Sequence, residues 1–243
     1  MRERIATRLR SVGWIVQTIR TVRRWRLLQE QRAWDWRYGI RTLHTPGDEF
    51  DRAPVQYEPT KYAAIHACLA RLLLAPDDVV FDIGCGMGRV TCLFARQPVT
   101  RCVGIERVGR LAEIARLNAS RVYGRRASVE IRTEDAGQTD YAGGTVFWLY
   151  NPFGDETMRR TLARINASVE AAPRPIQIIY AAPHYESAFY DGNWLERKFT
   201  IEVQYDLVQT MPVSYWINRP LRSDTSQVGN DGYGHDHHAF DLH

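Results

Sequence analysis

The feature that most constrains the fold of this chain is a glycine-rich segment between an apolar run and a helical pattern. Residues 79–90 read VVFDIGCGMGRV, with glycines at positions 84, 86 and 88. Glycine permits sharp turns and leaves backbone N–H groups open to a ligand where a Cβ would intrude. A strand that passes through such a loop into a helix predicts a doubly wound α/β sheet, which binds ligands at the carboxyl ends of its strands. The alternative is a tight turn without a ligand.

Short apolar runs alternate with helical patterns along the rest of the chain. The predicted strands are at 79–81, 102–105, 129–131, 146–149 and 176–180, with helical spacing at 108–119 and 158–169. This alternation predicts right-handed crossovers and a parallel sheet. Two further apolar segments, 198–205 and 211–218, are separated by a loop too short for a parallel crossover. The prediction is therefore an α/β fold with a doubly wound, seven-stranded sheet, mostly parallel, that ends in an antiparallel hairpin.

The positive charge is concentrated at the N-terminus. Residues 1–32 hold nine arginines against Glu3 and Glu30, a net charge of +7, whereas the remainder carries a net charge of −3. An apolar stripe at helical spacing (Ile5, Leu9, Val12, Val16, Ile19) predicts an amphipathic helix in this segment. Three interpretations stay open: a helix that packs on the body or a partner, a helix that binds an anionic membrane or nucleic acid, or a flexible arm.

Several function classes are not indicated by the sequence. No apolar run approaches the roughly 18 residues that a membrane span needs, and the N-terminus lacks a clear export signal. The four cysteines show neither CxxC spacing nor a nearby histidine pair. The tail histidines at 235, 237, 238 and 243 lie in a polar, Gly-rich segment that cannot fix ligand geometry, so no metal site is predicted. The expected location is cytoplasmic, peripheral to a membrane if the basic arm binds one.

The glycine pattern favours a ligand with a cationic end. A dinucleotide fingerprint counted from Gly84 requires glycine at position 89, where Arg89 stands. The pattern is instead Asp-x-Gly-x-Gly-x-Gly from Asp82, and an acid at that point is unfavourable for a phosphate. Glu106 ends the second predicted strand about 20 residues later, where a carboxylate can accept hydrogen bonds from both hydroxyls of a ribose.

These residues resemble the class I S-adenosylmethionine-dependent methyltransferases, and the resemblance extends over roughly residues 57–218. It implies a Rossmann-like fold and S-adenosylmethionine as the cofactor. It assigns cofactor binding to Asp82, Gly84, Cys85, Gly86, Gly88, Glu106, Arg107, Asp135, Ala136 and Asn151. Within this set, the Thr133–Ala136 segment resembles the adenine-binding turn of the family, with Asp135 placed for the exocyclic amine. A solvated surface loop is the alternative for that segment.

The end of the fourth predicted strand carries the residues expected at the methyl acceptor. The segment 150–154, YNPFG, resembles the Asn/Asp-Pro-Pro-Tyr/Phe motif of amine-directed N-methyltransferases but lacks the second proline. The resemblance implies that Asn151, Pro152 and Phe153 are catalytic. The alternative is that they only end a strand and turn the chain. His184, Tyr150 and Tyr185 are candidates for a general base, and His184 is equally well explained as a surface histidine.

A segment before the first predicted core helix is expected to cover the cofactor. Residues 57–60, YEPT, are similar to the cofactor-covering loop of seven-strand histone-lysine methyltransferases and of bacterial methyltransferase-like proteins without an assigned substrate. Those bacterial proteins share a segment like residues 35–42. The resemblance implies that Tyr57, Glu58 and Thr60 line the cofactor site. The alternative for Thr60 is an N-cap of a helix of about three to four turns.

The predicted organisation is a basic helical N-terminal arm (1–42), a linker or cofactor-covering loop (43–60), a methyltransferase domain (61–220) and a flexible tail (221–243). The predicted function is methyl transfer from S-adenosylmethionine to an amine nitrogen of a protein, a nucleic acid or a small molecule. One alternative is a catalytically silent cofactor-binding module tethered through the basic helix. The other is an NAD-dependent oxidoreductase. The predicted partners are the methyl acceptor and an anionic surface bound through residues 1–32.

Overall fold

The computed structural model describes residues 2–43, 57–205 and 209–219, and within 2–20 it describes only the side chains of Gln17 and Thr18. The apolar stripe predicted over residues 5–19 therefore falls within a helix, but its side chains are not among those that the structure describes. Most of the predicted linker and the predicted tail also lie outside the described residues. No helix in the described part of the chain has the length and apolarity of a membrane span.

The elements follow the predicted alternation. The helices are α1 (Arg2–Tyr38), α2 (Tyr62–Leu69), α3 (Arg89–Phe94), α4 (Gly109–Arg121) and α5 (Asp155–Ala171). The strands are β1 (Val79–Ile83), β2 (Arg101–Glu106), β3 (Ser128–Thr133), β4 (Val146–Tyr150), β5 (Gln177–Ala181), β6 (Leu195–Gln204) and β7 (Thr210–Asn218). A 3₁₀ segment (Glu186–Asn193) connects β5 to β6.

The seven strands form one sheet in the order β3-β2-β1-β4-β5-β7-β6. Strands β1 to β5 pair in parallel, whereas β7 pairs antiparallel with both β5 and β6. The predicted fold class, a mostly parallel doubly wound sheet closed by an antiparallel hairpin, is therefore confirmed. The order of the strands reverses between β1 and β4, which is where open α/β sheets form a ligand crevice beyond the carboxyl ends of the strands.

Helices cover both faces of the sheet. On one face, the end of α1, α2 and α3 bury a cluster that includes Tyr38, Tyr62, Phe94 and Trp148. On the other face, α5 and the 3₁₀ segment bury a cluster that includes Met158 and Phe189. Because both faces are covered, the central strands are apolar on both sides, as their continuous hydrophobic runs predict.

The first core helix differs from the expectation. Helix α2 has eight residues, shorter than predicted, and its N-cap is Lys61, which makes no side-chain capping bond. Thr60 is buried and its carbonyl oxygen accepts a hydrogen bond from Arg89 at 2.8 Å. Leu72, which continues the helical spacing of Tyr62, Ile65 and Leu69 in the sequence, packs on the core after the helix has ended. Thr60 is therefore not a helix cap, because a tertiary contact fixes this segment.

Candidate functional site

The glycine loop approaches its neighbours too closely for any side chain at two positions. Gly84 and Gly86 have φ angles of 76° and 54°, in the left-handed region. A Cβ at Gly84 would lie 2.3 Å from the Cβ of Pro152, and a Cβ at Gly86 would lie 2.3 Å from Cε2 of Tyr57. Both contacts are far inside van der Waals distance, so only glycine fits. The loop is therefore a bare backbone surface, flanked by Pro152 on one side and by the covering segment on the other.

Glu106 is tied directly to this loop. Its Oε2 accepts a hydrogen bond from the backbone N–H of Gly86 at 2.9 Å, and its Oε1 accepts one from the N–H of Val108 at 2.8 Å. The N–H groups of Gly84 and Cys85 donate to the carbonyl oxygen of Ile105, at 2.8 and 2.9 Å. A carboxylate has about four acceptor sites, so both Glu106 oxygens retain capacity for a further donor such as a ribose hydroxyl.

Asp82 links the strand that enters the glycine loop to the helix that leaves it. Its Oδ2 accepts hydrogen bonds from the N–H and the Oγ1–H of Thr91, at 2.8 and 2.6 Å, and thereby joins the end of β1 to α3. Burial raises the pKa of Asp82 to about 7, with a smaller contribution from the charge of Glu106, while the two Thr91 hydrogen bonds oppose this rise. The site therefore contains a carboxyl group whose charge changes near neutral pH.

The loop opens into a cavity of about 680 Å³ that most of the predicted site residues line. It is within the size range of small-molecule binding sites. Its lining includes the predicted residues Tyr57, Glu58, Thr60, Asp82, Gly84, Cys85, Gly86, Glu106, Arg107, Asp135, Ala136, Asn151, Pro152 and Phe153. At its predicted adenine end, Oδ1 of Asp135 accepts a hydrogen bond from the N–H of Gly137 at 2.8 Å, which shapes the turn.

Gly88 is the exception among the predicted cofactor-binding residues. It does not line the cavity, and a Cβ at this position would lie 3.0 Å from the Cβ of Ala115 on α4. It is the N-cap residue of α3, with a φ of 79°. Gly88 allows α3 to start and to pack closely against α4, and its role in cofactor binding stays a prediction.

The predicted acceptor residues stand at the carboxyl end of β4. Asn151 has a φ of 39°, which is uncommon for a residue with a side chain and is a form of strain that clusters at functional sites. Its Oδ1 accepts a hydrogen bond from the hydroxyl of Tyr180 at 3.4 Å, and the N–H of Tyr185 donates to the same Tyr180 oxygen at 3.1 Å. His184, the candidate base, lines the cavity with an exposed side chain.

The covering segment 57–60 is fixed by two other parts of the chain. The hydroxyl of Tyr57 donates to the carbonyl oxygen of Thr42 at 3.2 Å, and the hydroxyl of Tyr205, just after β6, donates to Oε1 of Glu58. The phenol oxygens of Tyr205 and Tyr150 are 3.3 Å apart. A hydrogen-bonded chain therefore runs from Tyr150 at the cavity wall through Tyr205 to Glu58, whose side chain is 59% exposed.

Arg89 is a site residue that the sequence interpretation missed. It is 2% exposed, lines the cavity, and donates hydrogen bonds to Oγ1 of Thr42 (2.7 Å) and Oε1 of Gln31 (2.8 Å). Its guanidinium also lies 3.5 Å from Oδ1 of Asp35 and 4.3 Å from the ring centre of Tyr62. The only signal in the sequence was an arginine directly after the glycines.

Comparisons with known proteins agree with this architecture. A model of the protein-L-isoaspartate(D-aspartate) O-methyltransferase family matches residues 51–143. No curated protein sequence matches the chain.

Solved structures of other proteins share the fold, among them the following three. An RNA methyltransferase from Salinibacter ruber, in complex with S-adenosyl-L-homocysteine, is 24% identical, with 72% of this chain and 98% of that chain covered and a TM-score of 0.50. Magnesium protoporphyrin IX methyltransferase from Synechocystis PCC 6803, with bound SAM, is 16% identical, with coverages of 71% and 92% and a TM-score of 0.53. A precorrin 8W decarboxylase from Methanobacterium thermoautotrophicum is 20% identical, with coverages of 67% and 92% and a TM-score of 0.50.

The decarboxylase shows that this fold alone does not determine the reaction. The matched family segment covers β1 to β3 and the glycine loop, which is the predicted cofactor half of the site. None of these comparisons supports the likeness to histone-lysine methyltransferases, which stays a prediction. The chain therefore shares the fold of solved class I methyltransferases, and its residues 51–143 are similar to a methyltransferase family.

Proposed function

We propose that this protein is an S-adenosylmethionine-dependent methyltransferase that transfers the methyl group to an amine nitrogen. The observation that carries the proposal is that Asn151 and Phe153 line the same cavity as the glycine loop. Pro152 packs directly on Gly84, in the space that a Cβ would need. The residues proposed to bind the acceptor and those proposed to bind the cofactor therefore line one cavity, at the point where the strand order reverses.

The residues present suit the proposed cofactor. When bound, S-adenosylmethionine supplies an electrophilic methyl group on a positively charged sulfur. The glycine loop, packed between Pro152 and Tyr57, lines the cavity in which the cofactor would lie, and Glu106 has acceptor capacity for the ribose hydroxyls. Asp135 and Ala136 lie at the predicted adenine end of the cavity. Asp82 contributes negative charge near the loop when it is ionised.

Asn151 is the proposed positioning group for the acceptor. Its side-chain oxygen can accept an N–H from an amine and so direct the nitrogen lone pair, while the hydroxyl of Tyr180 limits its movement. Phe153 offers an aromatic face for a cationic or planar acceptor. Methyl transfer from a sulfonium needs little covalent chemistry from the protein, because the leaving group is neutral. Holding the two reactants in near-attack geometry can lower the activation barrier by on the order of 7–11 kcal/mol.

An amine that reacts must lose a proton. The chain Tyr150–Tyr205–Glu58 offers a route from the cavity wall to an exposed carboxylate. Lys61 lies 3.6 Å from Glu58, so a cation accompanies this carboxylate. His184 at the rim is a second candidate for this role.

The acceptor is not indicated by the matched family. That model ends at residue 143, before β4 begins, so it does not reach Asn151. Its name specifies an oxygen acceptor, which makes a carboxylate acceptor the second candidate function. The amide at Asn151 and the aromatic ring at Phe153 favour the amine.

We also propose that residues 1–32, with a net charge of +7, carry the body to an anionic surface. The proposed location is cytoplasmic and peripheral to a membrane. A catalytically silent module would have the same arm, so a measurement of turnover is needed to distinguish that alternative from an enzyme.

Calorimetry and methyl transfer test the proposal together. The full chain is titrated with S-adenosylmethionine, S-adenosylhomocysteine and NAD, and we expect binding of the two adenosyl ligands but not of NAD. Glu106→Gln should weaken both adenosyl ligands by about 10- to 100-fold, because an amide NH₂ then faces a backbone donor. Asn151→Ala should lower turnover more than it weakens either adenosyl ligand.

Tritiated S-adenosylmethionine is then incubated with lysine-containing peptides and with matched peptides that carry aspartate and glutamate but no lysine. Label that survives alkali is expected on the lysine peptides, because N-methyl groups resist hydrolysis whereas methyl esters do not. Alkali-labile label on the acidic peptides would favour the carboxylate acceptor. Cofactor binding without transfer to any acceptor would favour the silent module.

A further inference from the structure

We propose that the outer face of α1 between residues 22 and 36 is a docking surface for an anionic phospholipid bilayer. This inference makes the proposed anionic partner of the N-terminal arm specific, and it does not depend on methyl transfer. It starts from three exposed apolar side chains of α1: Trp36 is 82% exposed, Trp25 is 60% exposed and Val22 is 49% exposed.

These side chains share one face of the helix. Trp25 and Trp36 are eleven residues apart, which places them about 20° apart around the axis and about 16 Å apart along it. Val22 lies one turn before Trp25 on the same side. The opposite side of α1 carries Gln31, Asp35 and Tyr38, all buried against the body. The tryptophan face therefore points away from the domain, and no described element covers it.

The inner face fixes the helix to the domain. Gln31 and Asp35 contact Arg89 at 2.8 and 3.5 Å, and Tyr62 donates a hydrogen bond to Oδ1 of Asp35 at 2.6 Å. The ring of Trp34 stacks on Tyr38 with centroids 5.6 Å apart. The last two turns of α1 are thus anchored to the domain. A membrane bound by the outer face of α1 would therefore hold the whole domain at its surface.

Arginines on and beside the tryptophan face complement a negative surface: Arg32 lies on this face and Arg26 and Arg37 lie beside it, whereas Arg23 and Arg24 lie on other sides of the helix. Arg23, Arg24, Arg26, Arg32 and Arg37 are all exposed. The acids of the same stretch are Glu30 and Asp35, and Asp35 is buried beside Arg89. Each arginine near an anionic membrane contributes on the order of 1 kcal/mol of attraction, so the segment has a clear electrostatic preference.

Exposed tryptophan together with arginine favours lipid over nucleic acid. Tryptophan is enriched at the boundary between lipid headgroups and acyl chains, where its ring is buried and its N–H stays hydrated. A helix with such residues on one side lies in the plane of the interface. Binding to a nucleic-acid duplex depends mainly on neutralised phosphates and would leave Trp25, Trp36 and Val22 in water.

The test is vesicle co-sedimentation of the full chain. Vesicles of equal parts phosphatidylcholine and phosphatidylserine are compared with vesicles of phosphatidylcholine alone, and a blue shift of tryptophan emission provides a second readout. We expect binding to the anionic vesicles that weakens as salt increases. Trp25→Ser/Trp36→Ser should weaken binding by about tenfold or more, since it removes apolar area from the interface. Arg26→Gln/Arg32→Gln should weaken it by about fivefold per arginine.

Tyr190→Ser is the matched control, because Tyr190 is an equally accessible aromatic (54% exposed) in the 3₁₀ segment on the other face of the sheet. Its vesicle affinity should equal that of the wild type. Equal binding to both vesicle types, no binding to either, or a tryptophan variant that binds as well as wild type would each overturn the proposal. Tighter binding to duplex RNA than to anionic vesicles, unchanged in the tryptophan variant, would assign the face to nucleic acid. No cofactor or acceptor is present, so failure of the proposed methyl transfer would not affect this result.

Discussion

At the scale of single residues, two glycines allow the cost of a left-handed backbone to be separated from the cost of a close contact. Gly84 and Gly143 have nearly the same left-handed φ, 76° and 74°. A Cβ at Gly84 would collide with Pro152, whereas a Cβ at Gly143 would meet nothing within 4 Å. A substitution by alanine therefore introduces the same backbone strain at either position, but only at Gly84 does it also create a close contact, with Pro152.

We expect Gly84→Ala and Gly143→Ala each to lose about 1–2 kcal/mol of unfolding free energy to backbone strain. Gly84→Ala should lose a further 1–3 kcal/mol or so, because the loop or Pro152 must move. It should also lose affinity for S-adenosylhomocysteine, whereas Gly143→Ala should retain it. Urea unfolding and calorimetry measure both quantities. Equal losses in the two variants would show that the contact with Pro152 is unimportant.

Asp82 predicts a pH dependence. Its pKa is raised by burial to about 7 in the folded protein, against about 3.9 in an unfolded chain. Between these values the unfolded chain has released the proton and the folded protein keeps it, so ionisation favours unfolding. The contribution of Asp82 to stability is therefore full below pH 4 and is lost as the pH rises through 7.

Asp82→Asn removes this titration while its side-chain oxygen can still accept from Thr91. The thermal midpoint of the variant should rise relative to that of the wild type between about pH 4 and pH 7, and the difference should level off above pH 7. Thermal unfolding of both proteins at a series of pH values measures it. A difference that is constant with pH would mean that Asp82 is ionised throughout in the folded protein.

At the scale of elements, Arg89 joins three segments that lie apart in the sequence. It is the first residue of α3, and its partners are Gln31 and Asp35 on α1, Thr42 just after that helix, and Thr60 before α2. Asp35 also accepts hydrogen bonds from the N–H and the Oγ1–H of Thr42, at 2.6 and 2.7 Å. The network attaches the N-terminal helix to the helix that follows the glycine loop.

Arg89→Met should destabilise the protein by about 3–5 kcal/mol, because it leaves the buried Asp35 carboxylate without its cation. Asp35→Asn/Arg89→Met should recover most of this loss, since no charge then remains buried. A double-mutant cycle by urea unfolding checks the coupling. If the two single losses simply add, the pair does not interact in the way the geometry indicates.

At the scale of the whole molecule, the end of α1 belongs physically to the body. Tyr38 and Ile40 are part of the hydrophobic cluster on one face of the sheet, and Gln31, Asp35 and Thr42 are buried with Arg89. The predicted boundary after residue 42 stays a prediction. The packing instead indicates that the exposed arm ends near residue 30.

Removal of residues 1–21 should preserve cooperative unfolding and the affinity for S-adenosylhomocysteine. Removal of residues 1–42 should abolish both, because it uncovers the α2–α3 side of the core and leaves Arg89 without its α1 partners. Urea unfolding and calorimetry on the two truncated chains provide the comparison. Normal stability without residues 1–42 would support the boundary predicted from the sequence.

Local patterns in the sequence were enough for the strands, the parallel sheet with its hairpin, and the glycine loop with Glu106. These features depend on periodicity and spacing within short windows, where a strand or turn has few alternatives. Tertiary structure alone decided that Tyr57 and Pro152 flank the loop, that Gly88 faces α4, and that Asp35 pairs with Arg89. Each of these contacts joins residues far apart in the chain, and its free energy comes from burial and charge pairing that no local window contains.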